Sequence, residues 1–179
     1  MKLKILFIRL RNALWRLYYE PAAYGRKLGV KMGEDVKITG KTNWGSEPYM
    51  ISIGNRVLIS FDVSFITHDG ATFVIHKNEA YKDIYKFGRI RIGDNCFIGA
   101  KSILLPGVKI GNNCIIAAGS IVNKSISDGE VWGGVPAKFI MSTTEYAEKC
   151  KRNRLPYDID LLNQNKKAEM LRSTMDEET

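Results

Sequence analysis

Aliphatic residues recur every six positions through the middle of the chain. Successive hexads open at Ile92, Ile98, Leu104, Ile110, Ile116 and Val122 without a break. A period of six matches neither the 3.6-residue face of a helix nor the two-residue alternation of a simple strand. It does match a chain that turns a corner once per hexad and sends one aliphatic side chain inward from each flat segment. Three segments close one triangular coil, and coils stacked about 4.8 Å apart pair their backbones. The fifth position of each hexad is small or branched (Cys96, Ser102, Val108, Cys114, Ser120, Ile126), as a tight inner wall near a corner requires. The pattern predicts an all-β core, a prism of stacked aliphatic ladders.

The same register runs upstream through Met32-Gly33, Ile38 and Trp44-Gly45. After a three-residue slip at Glu47-Pro48-Tyr49 it resumes at Ile53-Gly54, Ile59-Ser60 and Phe65. The step from Phe65 to Ile92 is several times longer than one hexad, so a long loop over 69–89 leaves the prism wall. Loops of that length are functional or disordered. Ahead of the prism, Leu3, Leu6, Phe7, Leu10, Leu14 and Leu17 fall at helical spacing among basic residues, up to Pro21. This predicts a helical segment over 1–29, which either caps the open end of the prism or rests on an anionic membrane. The β-helical domain spans 30–140. A polar, helix-prone appendage follows over 141–179, broken into two pieces by Pro156.

With 45% hydrophobic and 26% charged residues and no apolar run long enough to cross a bilayer, the composition fits one soluble domain. Cys96, Cys114 and Cys150 show no metal spacing and read as buried, reduced thiols of a cytoplasmic protein. The N-terminal apolar stretch, interrupted by Arg9, Arg11 and Arg16, lacks a cleavage site and is not a signal peptide. A net charge of +8 suits phosphate-bearing partners. No nucleic-acid motif accompanies it.

The run Ile92-Gly93-Asp94-Asn95, Ile98-Gly99-Ala100, Leu105-Pro106-Gly107-Val108, Ile110-Gly111-Asn112-Asn113 and Ala118-Gly119-Ser120, followed by Gly133-Gly134-Val135-Pro136-Ala137-Lys138, resembles the hexapeptide-repeat acyltransferases. Ser46-Glu47-Pro48-Tyr49 and Phe65-Ile66-Thr67-His68-Asp69-Gly70 resemble the branch that O-acetylates sugars and cell-surface polysaccharides. The resemblance implies a left-handed parallel β-helix with a protruding loop and terminal helices. It also implies a homotrimer with acetyl-CoA bound between neighbouring prisms. For the cofactor it points to Ala100 and Ala118 along the pantetheine arm, and to Asn123, Lys124 and Lys138 near the adenosine phosphates. Where some sugar acetyltransferases carry a further basic residue after Pro-Ala-Lys, this chain has Met141.

Acetyl transfer to a hydroxyl needs a base, and a neutral imidazole suits that task near neutral pH. The chain holds two histidines, His68 and His76. His68 closes a hexad at the base of the long loop, where the resembling enzymes keep their catalytic histidine; His76 reads as an ordinary loop residue. Glu47 lies upstream of His68 by one coil plus the slip. Stacking would let it hold the other ring nitrogen, unless it is a solvent-facing corner. Asp69 reads as a turn residue that points elsewhere. The expected function is therefore acetyl-CoA-dependent O-acetylation of a sugar hydroxyl in a cell-surface polysaccharide or its precursor. N-acetylation of an amino-sugar nucleotide and a non-enzymatic scaffold are the alternatives. No metal is expected: a γ-type carbonic anhydrase shares the prism but needs three histidines. The protein is placed in the cytoplasm, with the inner membrane surface as a contact open to its N-terminal helix.

Overall fold

Each hexad contributes one short strand, and the strands follow one another around a triangle. The computed structural model describes residues 2–175, so Met1 and residues 176–179 of the terminal segments lie outside the described residues. Two helices, α1 (Lys2–Tyr18) and α2 (Pro21–Leu28), precede the first coil, which comprises β1 (Lys31–Met32), β2 (Lys37–Ile38) and β3 (Thr42–Asn43). The second comprises β4 (Ile51–Ile53), β5 (Leu58–Ile59) and β6 (Val63–Phe65). The loop interrupts here, carrying β7 (His68–Asp69), α3 (Thr72–Ile75) and β8 (Lys86–Phe87). Coil three holds β9 (Ile90–Ile92), β10 (Phe97–Ile98) and β11 (Ile103–Leu104); coil four holds β12 (Lys109–Ile110), β13 (Ile115–Ile116) and β14 (Ile121–Val122). A terminal hairpin of β15 (Glu130–Gly134) and β16 (Ala137–Ser142) follows.

Stacking these coils makes three parallel walls. The first is β1, β4, β9 and β12; the second is β2, β5, β10 and β13, extended by β15 and its antiparallel partner β16; the third is β3, β6, β11 and β14. This is the left-handed parallel β-helix implied by the sequence. The register confirms the period: Lys109 pairs with Arg91, one coil of three hexads before it, and Met32 pairs with Ile53, one such coil plus the slip beyond it. The slip is taken up by a single 3-10 turn over Pro48–Met50.

Inside, the first positions of the hexads are buried as predicted, with Ile98, Leu104, Ile116 and Val122 fully inaccessible. Phe65 stacks on Trp44 with ring centroids 5.0 Å apart. The fifth positions are buried too, and Cys96 and Cys114 point their thiols at the backbone carbonyls of Gly111 and Ser127. One register assignment is corrected. Ile126 pairs with Ile110 on the coil before, so it holds a first position rather than a fifth. The corner after β14 is shorter than its predecessors, and the hexad frame ends there.

Within the expected 1–29 helical segment, α2 covers the open end of the prism with its buried Gly25 against Met32 and Trp44, and α1 borders cavities over the same coil; expectations further along the chain need correction. Pro21 starts α2 and Gly29, at φ 107°, ends it, the usual proline-in, glycine-out arrangement of helix termini. Cys150 is exposed on α4 (Thr143–Arg152), a helix with no buried residue. The chain divides into two compact units, the second starting at Thr144. Beyond Pro156 the second unit holds two helices rather than one piece, α5 (Ile159–Gln164) and α6 (Lys166–Met175). Asp158 caps α5 through the amides of Asp160 and Leu161.

Candidate active site

The edge where the third wall turns into the first carries the loop, and its lower end is held tightly. Gly88 donates to the Thr67 carbonyl at 2.8 Å, and a side chain at Gly88 would collide with the backbone of Gly107 on the next coil. Lys86 and Phe87 pair with Asp69 and His68 as a two-stranded ribbon. His68 thus leaves the prism on a short strand paired with β8.

On the coil above, the 3-10 turn swings Glu47 toward this strand. His68 Nδ1 lies 3.0 Å from Glu47 Oε2, and the same oxygen accepts the Thr67 hydroxyl at 2.6 Å. The predicted stacking of Glu47 on His68 is therefore present. Burial alone would raise the Glu47 carboxyl, but hydrogen bonds from Thr67 and His68, the charge of the ring and a bond from Ser46 outweigh it. The carboxyl is held below its ordinary value. An ionised carboxylate only accepts, so Nδ1 carries the ring proton and Nε2 keeps its lone pair. The Glu47 side chain is 15% exposed and that of His68 43%: the acid is sheltered and the imidazole is open.

Asp69 does point elsewhere. Its carboxylate accepts from the Ala71 amide and from Lys86 Nζ, each at 3.0 Å, and both bonds lower its pKa. His76 donates from Nε2 to the Ile84 carbonyl at 2.7 Å and meets Tyr85 edge-on. It braces the loop, and a cavity of about 260 Å³ separates it from His68. Phe87 and Tyr85 line that cavity with exposed ring faces, Phe87 with its ring centroid 6.0 Å from that of His68. Larger cavities of about 500 Å³ lie where α1 and α2 meet the first coil; one reaches Ser46 but neither contains His68.

The residues picked for cofactor binding fall on two edges. Asn123 and Lys124 are exposed just after β14, on the His68 edge, about 10 Å further along the axis for two coils. Ala100 and Ala118 stack on the opposite edge of the third wall, linked by the bond from Gly119 N to the Ala100 carbonyl at 2.8 Å. The exposed Lys138 pairs with Gly133 beside them. One chain therefore does not gather all five. Trp132 packs against the core and donates its indole N–H to Glu130. Among the described residues no three His, Cys, Asp or Glu side chains are placed to hold a metal.

Sequence reasoning gave no role to Thr67, which is 1% exposed and grips Glu47 from inside the wall. Its signal was a hydroxyl at an inward position beside His68. A second omission is the ladder along the edge between the first and second walls. There the side chains of Asn55, Asp94, Asn112 and Asp128 each accept from a backbone amide one coil before. The pairs Gly54-Asn55, Gly93-Asp94 and Gly111-Asn112 were its signal, while Asp128 follows a serine.

Comparison with known proteins adds a second line of information. The sequence profile of the hexapeptide repeat of succinyl-transferase matches residues 89–124. Protein CapG of Staphylococcus aureus is 52% identical over 130 residues, which span 72% of this chain and 74% of CapG. YvoF of Bacillus subtilis (strain 168), described as an acetyltransferase, is 34% identical over 106 residues, 59% of this chain and 56% of YvoF. Among solved structures, a maltose O-acetyltransferase from Clostridium difficile 630 shares the fold with a TM-score of 0.58 at 22% identity, over 76% of this chain and 84% of that one.

Proposed function

The chain belongs to the hexapeptide-repeat acetyltransferase family, and from that premise we propose that it transfers the acetyl group of acetyl-CoA to a sugar hydroxyl of a cell-surface polysaccharide or its precursor, with His68 as general base. The observation that carries this reading is the Glu47–His68 bond with Thr67 behind it. With Nδ1 committed to Glu47, Nε2 is the free basic atom at an exposed position. It takes the proton from the acceptor hydroxyl as that oxygen attacks the acetyl carbonyl. Glu47 stabilises the resulting imidazolium, which then returns the proton to the departing sulfur.

When bound, acetyl-CoA supplies the activated acetyl thioester. The residues present fit it: Ala100 and Ala118 place small methyl side chains one above the other on that edge, and Lys138 is an exposed cation beside it, suited to a phosphate. Because the base and this strip occupy different edges of one prism, the reading requires a neighbour. A homotrimer would set the His68 edge of one chain against the alanine edge of the next, with Asn123 and Lys124 adding polar contacts. The sugar assignment is supported by the likeness of Glu47-Pro48-Tyr49 and Thr67-His68-Asp69-Gly70 to polysaccharide-modifying relatives. The exposed rings of Tyr85 and Phe87 beside the base add to it, since such rings stack on sugars.

Incubation with labelled acetyl-CoA and panels of glycans, amino sugars and free serine tests this reading. The product is then exposed to mild base. An ester on a glycan, released by base, is the expected result; a base-stable acetyl on an amino sugar would replace the assignment with N-acetylation, and no transfer to any acceptor would favour a scaffold.

A further inference from the structure

The first helix turns its most apolar face away from the rest of the protein. Leu6, Phe7, Leu10, Leu14, Leu17 and Tyr18 fall in one stripe of roughly 120° around α1, and all six are exposed, Leu17 at 83% and Tyr18 at 86%. Asn12 and Trp15, on another side, are half-buried, and Asn12 and Arg16 line the cavity against Lys41 and Trp44. Seating α1 on the prism thus leaves this stripe in water. Contiguous exposed apolar surface of this kind marks an interaction site.

Charge indicates what covers it. Residues 1–19 contain Lys2, Lys4, Arg9, Arg11 and Arg16 and no Asp or Glu, so five of the chain's eight excess positive charges sit there. Arg11 borders the stripe and lies over the Trp15 ring at 4.3 Å. A second copy of α1 would bring these like charges closer together, with Glu20 as the nearest acid in sequence. An anionic bilayer surface complements both properties, since the acyl boundary takes the apolar residues while the headgroups take the cations. No described helix is long and apolar enough to cross a membrane.

We propose that α1 is an interfacial anchor that lies in the plane of an anionic lipid surface. The proposal rests on α1 alone and is independent of the chemistry at His68. Cosedimentation with vesicles tests it, using phosphatidylcholine alone and phosphatidylcholine mixed equally with phosphatidylglycerol. The full chain should sediment with the mixed vesicles and release in high salt. The double variant Leu10→Gln/Leu14→Gln, which keeps good helix formers, should bind about tenfold more weakly or worse. Acetyl transfer to a soluble acceptor and the size by light scattering should stay unchanged in it. The proposal is overturned if the wild-type chain ignores both vesicles, or if the double variant sediments as well as wild type. Breakdown of an oligomer in the variant would overturn it in favour of a second copy. Loss of acetyl transfer in the wild type alone would count against the proposed function and leave the anchor standing.

Discussion

Thr67 shows how much the proposed base, His68, depends on a buried neighbour of its carboxylate partner. Its hydroxyl and the His68 ring share one oxygen of Glu47, so removing the hydroxyl leaves the carboxylate to rotate and its pKa to rise. Thr67→Val keeps the shape and deletes the donor. In that variant the Glu47 carboxyl should titrate at higher pH, followed by carboxyl-carbon magnetic resonance, and turnover should fall about tenfold with little change in KM. Thr67→Ser should restore both. The sign of the pH dependence follows from the direction of the shift. A carboxyl held below its ordinary value of 4.5 contributes stability that is complete above that value and is lost as pH falls through the folded one. An unshifted Glu47 titration in Thr67→Val would remove Thr67 from this role.

Among the elements, the strands were legible because one aliphatic residue per hexad leaves a long-range mark, and the pairing of each strand with its counterpart one coil away followed from it. What bent the pattern was local. The contraction before Ile126 carries no turn signal that separates it from a seventh hexad, and α2, which begins at Pro21 where the apolar helical pattern ends, was not told apart within the 1–29 segment. Glu47 was legible by counting along the chain, because stacking converts sequence separation into contact; Thr67 was not, because an inward polar residue looks like any small wall residue. The edge ladder also yields a prediction. Asn112 Oδ1 accepts the Asp94 amide at 2.8 Å and its Nδ2 reaches Asp128. Asn112→Ala should cost about 1 kcal/mol by urea denaturation. An unchanged midpoint would show that water replaces the ladder fully.

For the whole molecule, the division of proposed site residues between two edges makes a sharp demand on assembly. Light scattering should find a trimer. Two inactive variants, His68→Ala and Ala118→Phe, should complement one another when refolded together, because a site drawing its base from one chain and its alanine strip from another is intact wherever the two healthy edges meet. Random mixing would restore roughly a quarter of the wild-type activity. A mixture that stays inactive would place the whole site within one chain.

The central claim, that His68 is the base for acetyl transfer, is tested most directly by measuring turnover and CoA affinity side by side on the wild-type chain and His68→Ala. On that claim the imidazole serves proton transfer alone, and it lies on a different edge of the prism from Ala100 and Ala118. The variant should therefore lose about 10²- to 10⁴-fold in turnover while binding CoA as tightly as wild type. Wild-type turnover in His68→Ala would contradict the account.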